Sequence, residues 1–82
     1  MDKNEQINSI IDNLKELYQD ITVPKNIKTK VQNIIKLLEE NSELSIKVNK
    51  ALQELDDISD DPNLQPYTRT QIWNIVSFLE KL

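Results

Sequence analysis

The side chains in this sequence whose types and spacing best suit chemistry are four carboxylates, arranged as two pairs. Glu40 and Glu43 form the first pair, and Asp57 and Asp60 form the second. Carboxylate oxygens are preferred ligands of Mg²⁺, which keeps several of its waters and commonly bridges one or two carboxylates to substrate phosphates. These four carboxylates therefore raise the hypothesis of a magnesium site.

An acidic pattern of this kind is similar to the E-x-x-E and E-x-x-D motifs of the all-α nucleotide pyrophosphohydrolases, which bind magnesium in small helical bundles. The similarity implies a magnesium-dependent nucleotide diphosphate hydrolase. In this sequence, however, the first pair straddles the turn formers Asn41 and Ser42, and short acidic motifs also arise by chance. A solvated acidic surface without a metal is therefore the favoured interpretation, and the hydrolase is the alternative.

The composition excludes several other kinds of catalytic site. The 82 residues include no Cys and no His. Without Cys there are no disulfides, thiolate metal sites or thiol nucleophiles, and without His the commonest general base is missing. We therefore expect a non-enzymatic protein without a cofactor. The polar N-terminal residues and the lack of a long apolar run predict a cytoplasmic protein that does not enter membranes.

Helices are the elements that must position these side chains. Gly is absent, and Leu, Ile, Glu, Lys, Asn and Gln dominate, which favours long helices joined by short turns. We predict an all-α protein of four helices. They are expected at about residues 4–20, from Pro24 to Glu40, from Glu43 to the turn formers at 59–63, and from Pro66 onward. The turn Asn41-Ser42 is expected to supply the N-cap of the third helix.

Apolar residues recur at helical spacing in each of these segments and predict the core of the protein. The first segment contributes the longest run, which extends through Tyr18 to Ile21. The predicted core residues are Ile7, Ile10, Ile11, Leu14, Leu17, Tyr18, Ile21, Ile27, Val31, Ile34, Ile35, Leu38, Leu44, Val48, Ala51, Leu52, Leu55, Ile58, Ile72, Ile75, Val76 and Leu79.

The two halves of the chain match each other at an offset of 41 residues. Leu14 corresponds to Leu55, Asp20 to Asp61, and Lys28 to Arg69. The match predicts two helical hairpins, at 4–40 and 43–82, within one domain of residues 1–82. Each hairpin resembles a HEAT-type unit in length, but two units are too few for a solenoid. A compact four-helix bundle, or a stack of the two hairpins, is therefore predicted.

Charge follows the same repeat. The net charge is −3 over residues 1–23, +2 over 24–42, −4 over 43–65 and +1 over 66–82. If the two hairpins stack with like members together, they produce one acidic and one basic flank. Solvation and attraction between neighbouring helices is the simpler explanation. In that case Asp20 lies near Lys28, and Asp61 near Arg69.

Trp73 is the aromatic residue most informative about function. It lies about 100° around the helical wheel from Ile72, off the apolar stripe, and its partner in the repeat is the polar Gln32. Two interpretations stay open: Trp73 closes a thin core, or it anchors a partner. The full set of predicted interaction residues is Trp73, Tyr67, Arg69, Asp57, Asp60, Asp61, Lys25 and Lys28.

The charge also limits the kind of partner. A net charge of −4 and a pI of about 4.7 argue against binding to free DNA, because free-standing nucleic-acid binders are usually basic. We expect a protein partner or self-association. A ribonucleoprotein is a further candidate, contacted through the basic helices.

The chain also resembles a known family over nearly its whole length. The similarity is carried by Val23-Pro24 with Lys28, by Asp57 and Asp60-Asp61-Pro62-Asn63, and by the tail Ile72-Trp73-Asn74-Ile75-Val76-Ser77. These residues resemble the small archaeal helical proteins that are grouped only as an uncharacterised family. The resemblance implies an archaeal, cytoplasmic, all-α protein and brings no catalytic residues.

Overall fold

The computed structural model describes residues 3–82, which form four α-helices. These are α1 (Lys3–Gln19), α2 (Lys25–Glu39), α3 (Leu44–Ser59) and α4 (Pro66–Glu80). The all-α prediction is confirmed, and each predicted helix boundary lies within two residues of the observed one. The predicted domain of residues 1–82 includes residues 1 and 2, which lie outside the described residues.

The four helices form a closed antiparallel bundle of about 33 × 20 × 20 Å. Contacts join α1 to α2, α2 to α3, α3 to α4, and α4 back to α1. Among residues 3–82, α1 does not contact α3, and α2 does not contact α4. The helices are therefore arranged around the bundle in the order in which they follow along the chain. The α1–α2 turn and the α3–α4 turn lie at the same end of the bundle. None of the described helices is long and apolar enough to cross a membrane.

As formed by residues 3–82, this ring of helices lacks the acidic and basic flanks that stacking of the hairpins with like members together would have produced. The acidic segments contain α1 and α3, and the basic segments contain α2 and α4. In the ring, like members lie diagonally opposite each other instead of side by side. α1 and α3 therefore each contact the basic helix α2 and the nearly uncharged α4 rather than each other, which lowers repulsion between adjacent helices in a chain of net charge −4.

The core is built from equivalent positions of the two hairpins. Leu14 and Leu55 are both fully buried, as are Val31 and Ile72. Thr68 is buried at the position equivalent to Ile27. The buried apolar residues are Ile7, Ile10, Ile11, Leu14, Leu17, Val23, Ile27, Val31, Ile34, Ile35, Leu38, Val48, Ala51, Leu55, Ile58, Leu64, Ile72, Ile75 and Leu79. Leu44, Leu52 and Val76 are partly buried against this core.

Two residues predicted as core are on the surface. Ile21 is 92% exposed and Tyr18 is 41% exposed. The helical pattern does not extend to Ile21 because α1 ends at Gln19, and the turn that follows buries Val23 instead.

The α1–α2 and α3–α4 turns contain equivalent hydrogen bonds at positions 41 residues apart. The Asp20 carboxylate accepts a hydrogen bond from the Thr22 N–H, and the Asp61 carboxylate accepts one from the Asn63 N–H, both over 2.9 Å. This is the local bonding typical of aspartate in tight turns. The offset of 41 residues therefore relates hydrogen bonds as well as helices.

The α2–α3 turn differs from the prediction. The N-cap of α3 is Glu43, without a side-chain capping bond, so the expected Ser42 cap is wrong. Lys47 holds this turn instead, because its ammonium group donates to the carbonyl oxygens of Leu38 and Glu40 over 3.2 and 3.1 Å. Pro66 opens α4 as predicted, whereas Pro24 lies one position earlier, at the N-cap of α2.

Candidate functional site

The two carboxylate pairs are separated by the full length of α3. Glu43 is the N-cap of α3, and Asp60 is its C-cap. A helix of 16 residues is about 24 Å long, so Glu40 and Glu43 cannot share a metal with Asp57 and Asp60. Within residues 3–82, no group of three or more acidic side chains could hold a metal ion. These four carboxylates therefore cannot form the single magnesium site that the hydrolase alternative requires.

Arg69 joins the end of α3 to the start of α4. Its guanidinium group is part-buried and donates to the carbonyl oxygens of Ser59 and Asp61 over 3.0 and 3.1 Å. A cation at this position offsets the negative end of the α3 dipole and satisfies carbonyls that the helix leaves free. Arg69 therefore connects the α3–α4 turn to α4. The simpler explanation of the charges placed Arg69 near Asp61, and it lies there, but it bonds to backbone carbonyl oxygens.

A cation recurs after each turn, at the fourth residue of the following helix, and in α3 and α4 it bonds to carbonyl oxygens of the preceding turn or helix end. Lys28, Lys47 and Arg69 occupy this position in α2, α3 and α4. Near Lys28, hydrogen bonds from the Thr22 side chain and backbone, together with the Lys28 charge, hold the pKa of the Asp20 carboxyl below its ordinary value. Sequence reasoning missed the role of Lys47, although its position in the helix matches that of the other two.

The acidic residues at 57–61 are also partly engaged in hydrogen bonds within the protein. Besides the Asn63 N–H, the Asp61 carboxylate accepts a hydrogen bond from the Asn26 side chain over 3.3 Å. Asp57 and Asp60 are exposed, and so is Lys25 at the first residue of α2. The charged residues of the predicted interaction set therefore lie at one end of the bundle. There Arg69 and Asp61 stabilise the α3–α4 turn, and Asn26, next to Lys25 at the start of α2, bonds to Asp61.

Three aromatic side chains of α4 are exposed. Tyr67 is 69% exposed, Trp73 57% and Phe78 46%. The interpretation of Trp73 as a core filler is wrong, because Ile72, Ile75 and other apolar residues already fill the interior at this level. A largely exposed Trp is uncommon for a residue type that is usually well buried.

The exposed side of α4 is uncharged over most of its length. We name the α4 outer face by its exposed residues Tyr67, Thr70, Trp73, Asn74, Ser77 and Phe78. The whole segment 70–79 contains no charged residue, in a chain in which 29% of residues are charged. By contrast, the exposed sides of α1, α2 and α3 all carry charges. The other large exposed apolar side chains are Tyr18 on α1, Ile21 in the turn that follows and Ile46 on α3, one on each element.

A groove runs beside this face, between α4 and α1. Its volume is about 450 Å³, and it is lined by Asn13 and Glu16 of α1 and by Tyr67, Asn74 and Phe78 among the residues of α4. The Gln71 side chain also lines it, and the buried Oε1 of Gln71 accepts no hydrogen bond from any group of residues 3–82. At the far end, the Lys81 ammonium lies 6.0 Å from the centre of the Phe78 ring.

Trp73 borders the opposite side of the face. It follows Arg69 by one helical turn, so the two side chains lie on the same side of α4, and Arg69 bonds to the end of α3. The α4 outer face is therefore bounded by Trp73 toward α3 and by Tyr67 and Phe78 toward α1.

Comparison with known proteins places the chain in a family. All 82 residues match the model of the uncharacterised protein family UPF0147. A UPF0147 protein of Methanosarcina mazei is 39% identical over 99% of this chain and 88% of its own. One of Methanocaldococcus jannaschii is 43% identical over 84% of this chain and 75% of its own.

Two solved structures share the fold. The crystal structure of MMP1188, a protein of unknown function, superimposes with a TM-score of 0.93 at 43% identity and covers 99% of this chain and 93% of its own. A UPF0147 structure from Thermoplasma acidophilum gives 0.91 at 36% identity, covering 96% and 94%. The resemblance to a family of archaeal helical proteins is confirmed, and the chain belongs to the uncharacterised protein family UPF0147.

Proposed function

We propose that this protein is a non-enzymatic interaction module that binds a protein partner through the α4 outer face. The observation that carries the proposal is the exposure of Tyr67, Trp73 and Phe78 on one uncharged helix side. The centres of protein interfaces are enriched in aromatic residues and depleted of charged ones. Tyr and Trp are also the residues that most often dominate binding energy.

The energetics of covering this face favour a partner. Each aromatic ring that loses about 100 Å² of apolar surface to a partner contributes roughly 2.5 kcal/mol. Binding must first offset the lost freedom of two molecules, about 4–15 kcal/mol. Burial of three rings on one face offsets the lower part of this range of binding cost. Burial of a single exposed side chain such as Ile46 does not.

The groove beside the face supplies the polar part of recognition. A buried acceptor without a donor costs about 1–3 kcal/mol, and the Gln71 Oε1 is such an atom within residues 3–82. A hydrogen-bond donor of the partner, placed in the groove between Asn13 and Asn74, would remove this cost. The groove thus adds specificity to the affinity of the aromatic rings.

A ribonucleoprotein partner has weaker support than a protein partner. The cations of the basic segments lie mainly on α2. The cation within α4 is the part-buried Arg69, which is bonded to the α3–α4 turn, and α2 and α4 lie diagonally across the bundle, so these cations do not form one continuous basic surface. Binding to nucleic acid depends on several such contacts acting together. Salt-sensitive co-sedimentation with ribosomal particles would favour this alternative, whereas no sedimentation at low salt counts against it. A cytoplasmic location is part of the proposal, and cell fractionation of the host tests it.

Affinity capture from the native host tests the proposal. The chain offers a matched control, because Gln32 is exposed on α2 at the position equivalent to Trp73. We expect a tagged wild type to retain a protein partner, and Trp73→Ala to reduce its recovery at least about tenfold, as for a hot spot. Gln32→Ala should retain the partner fully. Equal recovery by both variants would overturn the proposal.

A further inference from the structure

We propose that the partner of the α4 outer face is a second copy of this chain, packed antiparallel about a two-fold axis. This inference rests on the proposed function and identifies its partner. The two-fold arrangement is the commonest in soluble assemblies, and it brings the same surface patch of both copies together. The patch must therefore be compatible with itself in both charge and shape.

Charge selects α4 among the four helices. Exposed acidic residues predominate on α1, so this side would repel its own copy, and the same holds for the basic side of α2. The side of α3 carries Lys50 and Asp57, which an antiparallel copy could match, but it offers only Ile46 as a large exposed apolar side chain. Burying that side would desolvate charges at a cost of several kcal/mol per ion. On the α4 outer face this cost is confined to the end at Glu80 and Lys81, because residues 70–79 carry no charge.

The shape of the α4 outer face suits a second helix. Tyr67, Thr70, Asn74 and Ser77 follow one another at intervals of three, four and three residues, the spacing that keeps one seam of a helix against a neighbour. The middle of the seam is small and polar, so two helix backbones can approach closely. Trp73 borders the seam on one side, and Phe78 on the other.

An antiparallel orientation fits the ends of this face. It places Tyr67 of one copy near Phe78 and Lys81 of the other, so that the rings pack and the Lys81 ammonium, already 6.0 Å from the Phe78 ring centre, meets a second aromatic face. The helix dipoles then oppose each other favourably. A parallel orientation would instead bring the two Lys81 ammonium groups together, and like charges repel.

The area of one side of the bundle is sufficient. A standard interface buries about 800 Å² on each partner, which is about 15% of the accessible surface of 5289 Å². Because the bundle has four sides and two ends, one side and its bordering groove supply an area of this size.

Sedimentation equilibrium on the full chain tests the inference, with charges placed two helical turns apart in the seam. We expect the wild type to dimerise and to dissociate on dilution. Thr70→Glu combined with Ser77→Glu should raise the dissociation constant about 100-fold or more, because like charges then face each other. Thr70→Lys combined with Ser77→Glu should restore the dimer, since antiparallel copies place each lysine opposite a glutamate.

The repeat again provides a control, and circular dichroism checks that each variant is folded. Thr29→Glu combined with Lys36→Glu changes the equivalent positions of α2 and should leave the dimer intact. A wild type that is monomeric up to about 1 mM, or a Lys–Glu variant that stays monomeric, would overturn the inference. If the wild type is a monomer and Trp73→Ala still abolishes capture from the host, the proposed function stands with a different partner. If capture is also unchanged, both fail.

Discussion

The Nε of Arg69 donates a hydrogen bond to the carbonyl oxygen of Ser59 over 3.0 Å, so the first turn of α4 is fixed to the last residue of α3. Lys47 makes the corresponding connection from α3 to the end of α2. These bonds position each helix relative to the previous one. Trp73, one turn beyond Arg69 on α4, lies at the surface.

We expect Arg69→Ala to lower the free energy of unfolding by about 1–3 kcal/mol, the range for hydrogen bonds that involve a charged group. The substitution removes both donated bonds and exposes carbonyl oxygens at the end of α3. Urea unfolding followed by Trp73 fluorescence measures the change. Lys50→Ala, at an exposed position of α3, is the control and should change it by less than about 0.5 kcal/mol. Equal stability of the two variants would show that Arg69 does not stabilise the turn.

The Asp20 carboxyl should titrate below the ordinary pKa of an aspartate, as measured by NMR. The main cause is the hydrogen bonding of Thr22, and the Lys28 charge adds a smaller effect. Thr22→Val should therefore raise the pKa of Asp20 more than Lys28→Ala does. The reverse order would contradict this account of the turn.

The direction of the shift also determines how stability depends on pH. Because folding lowers the pKa of Asp20, its stabilising contribution is present above the unfolded-state pKa and is lost as the pH falls through the folded-state value. Asp20→Asn should flatten the decrease in stability of the wild type on that acidic side. Thermal melts of both proteins across the same pH range measure the difference, and parallel curves would count against the assignment.

Equivalent core residues should contribute similarly to the free energy of unfolding. Leu14→Ala and Leu55→Ala each remove a fully buried side chain at matching positions of the repeat, so each should cost about 2–5 kcal/mol. Ile21→Ala, at a 92% exposed position, should be nearly neutral. Urea unfolding of the three variants tests this prediction, and a neutral effect of either leucine substitution would refute the symmetric core.

Magnesium should neither stabilise the protein nor support turnover. The required carboxylates lie at opposite ends of α3, with Glu43 at one and Asp60 at the other. We expect no change in melting temperature on addition of Mg²⁺ and no hydrolysis of nucleoside diphosphates or triphosphates. Magnesium-dependent turnover that Asp57→Asn abolishes would reinstate the enzyme alternative.

Helices and their repeat are predictable from the sequence because both depend on local patterns. The stripe through Leu14 and its match at Leu55 identified buried positions, and the aspartates at 20 and 61 identified the two equivalent turns. The pattern failed at Ile21, where α1 had already ended. Periodicity gives the spacing of buried residues but leaves the last turn of a helix undetermined.

The order of helices around the bundle was not predictable in this way. Two hairpins can be placed together with like members adjacent or diagonal, and both arrangements bury the same stripes. This choice decides the charge distribution, and the diagonal arrangement excludes the alternative with one acidic and one basic flank. The exposure of Trp73 was open for the same reason, since an off-stripe aromatic is covered or uncovered according to which helix lies beside it.

Photo-crosslinking in the native host tests the central claim, that the α4 outer face binds a protein, most directly. Asn74 lies in the middle of this face, and Asn33 is the same residue type at the equivalent exposed position of α2. A photoreactive residue in place of Asn74 should give one discrete crosslinked protein, and the same residue in place of Asn33 should give none. Crosslinks of equal yield at both positions, or at Asn33 alone, would contradict the claim.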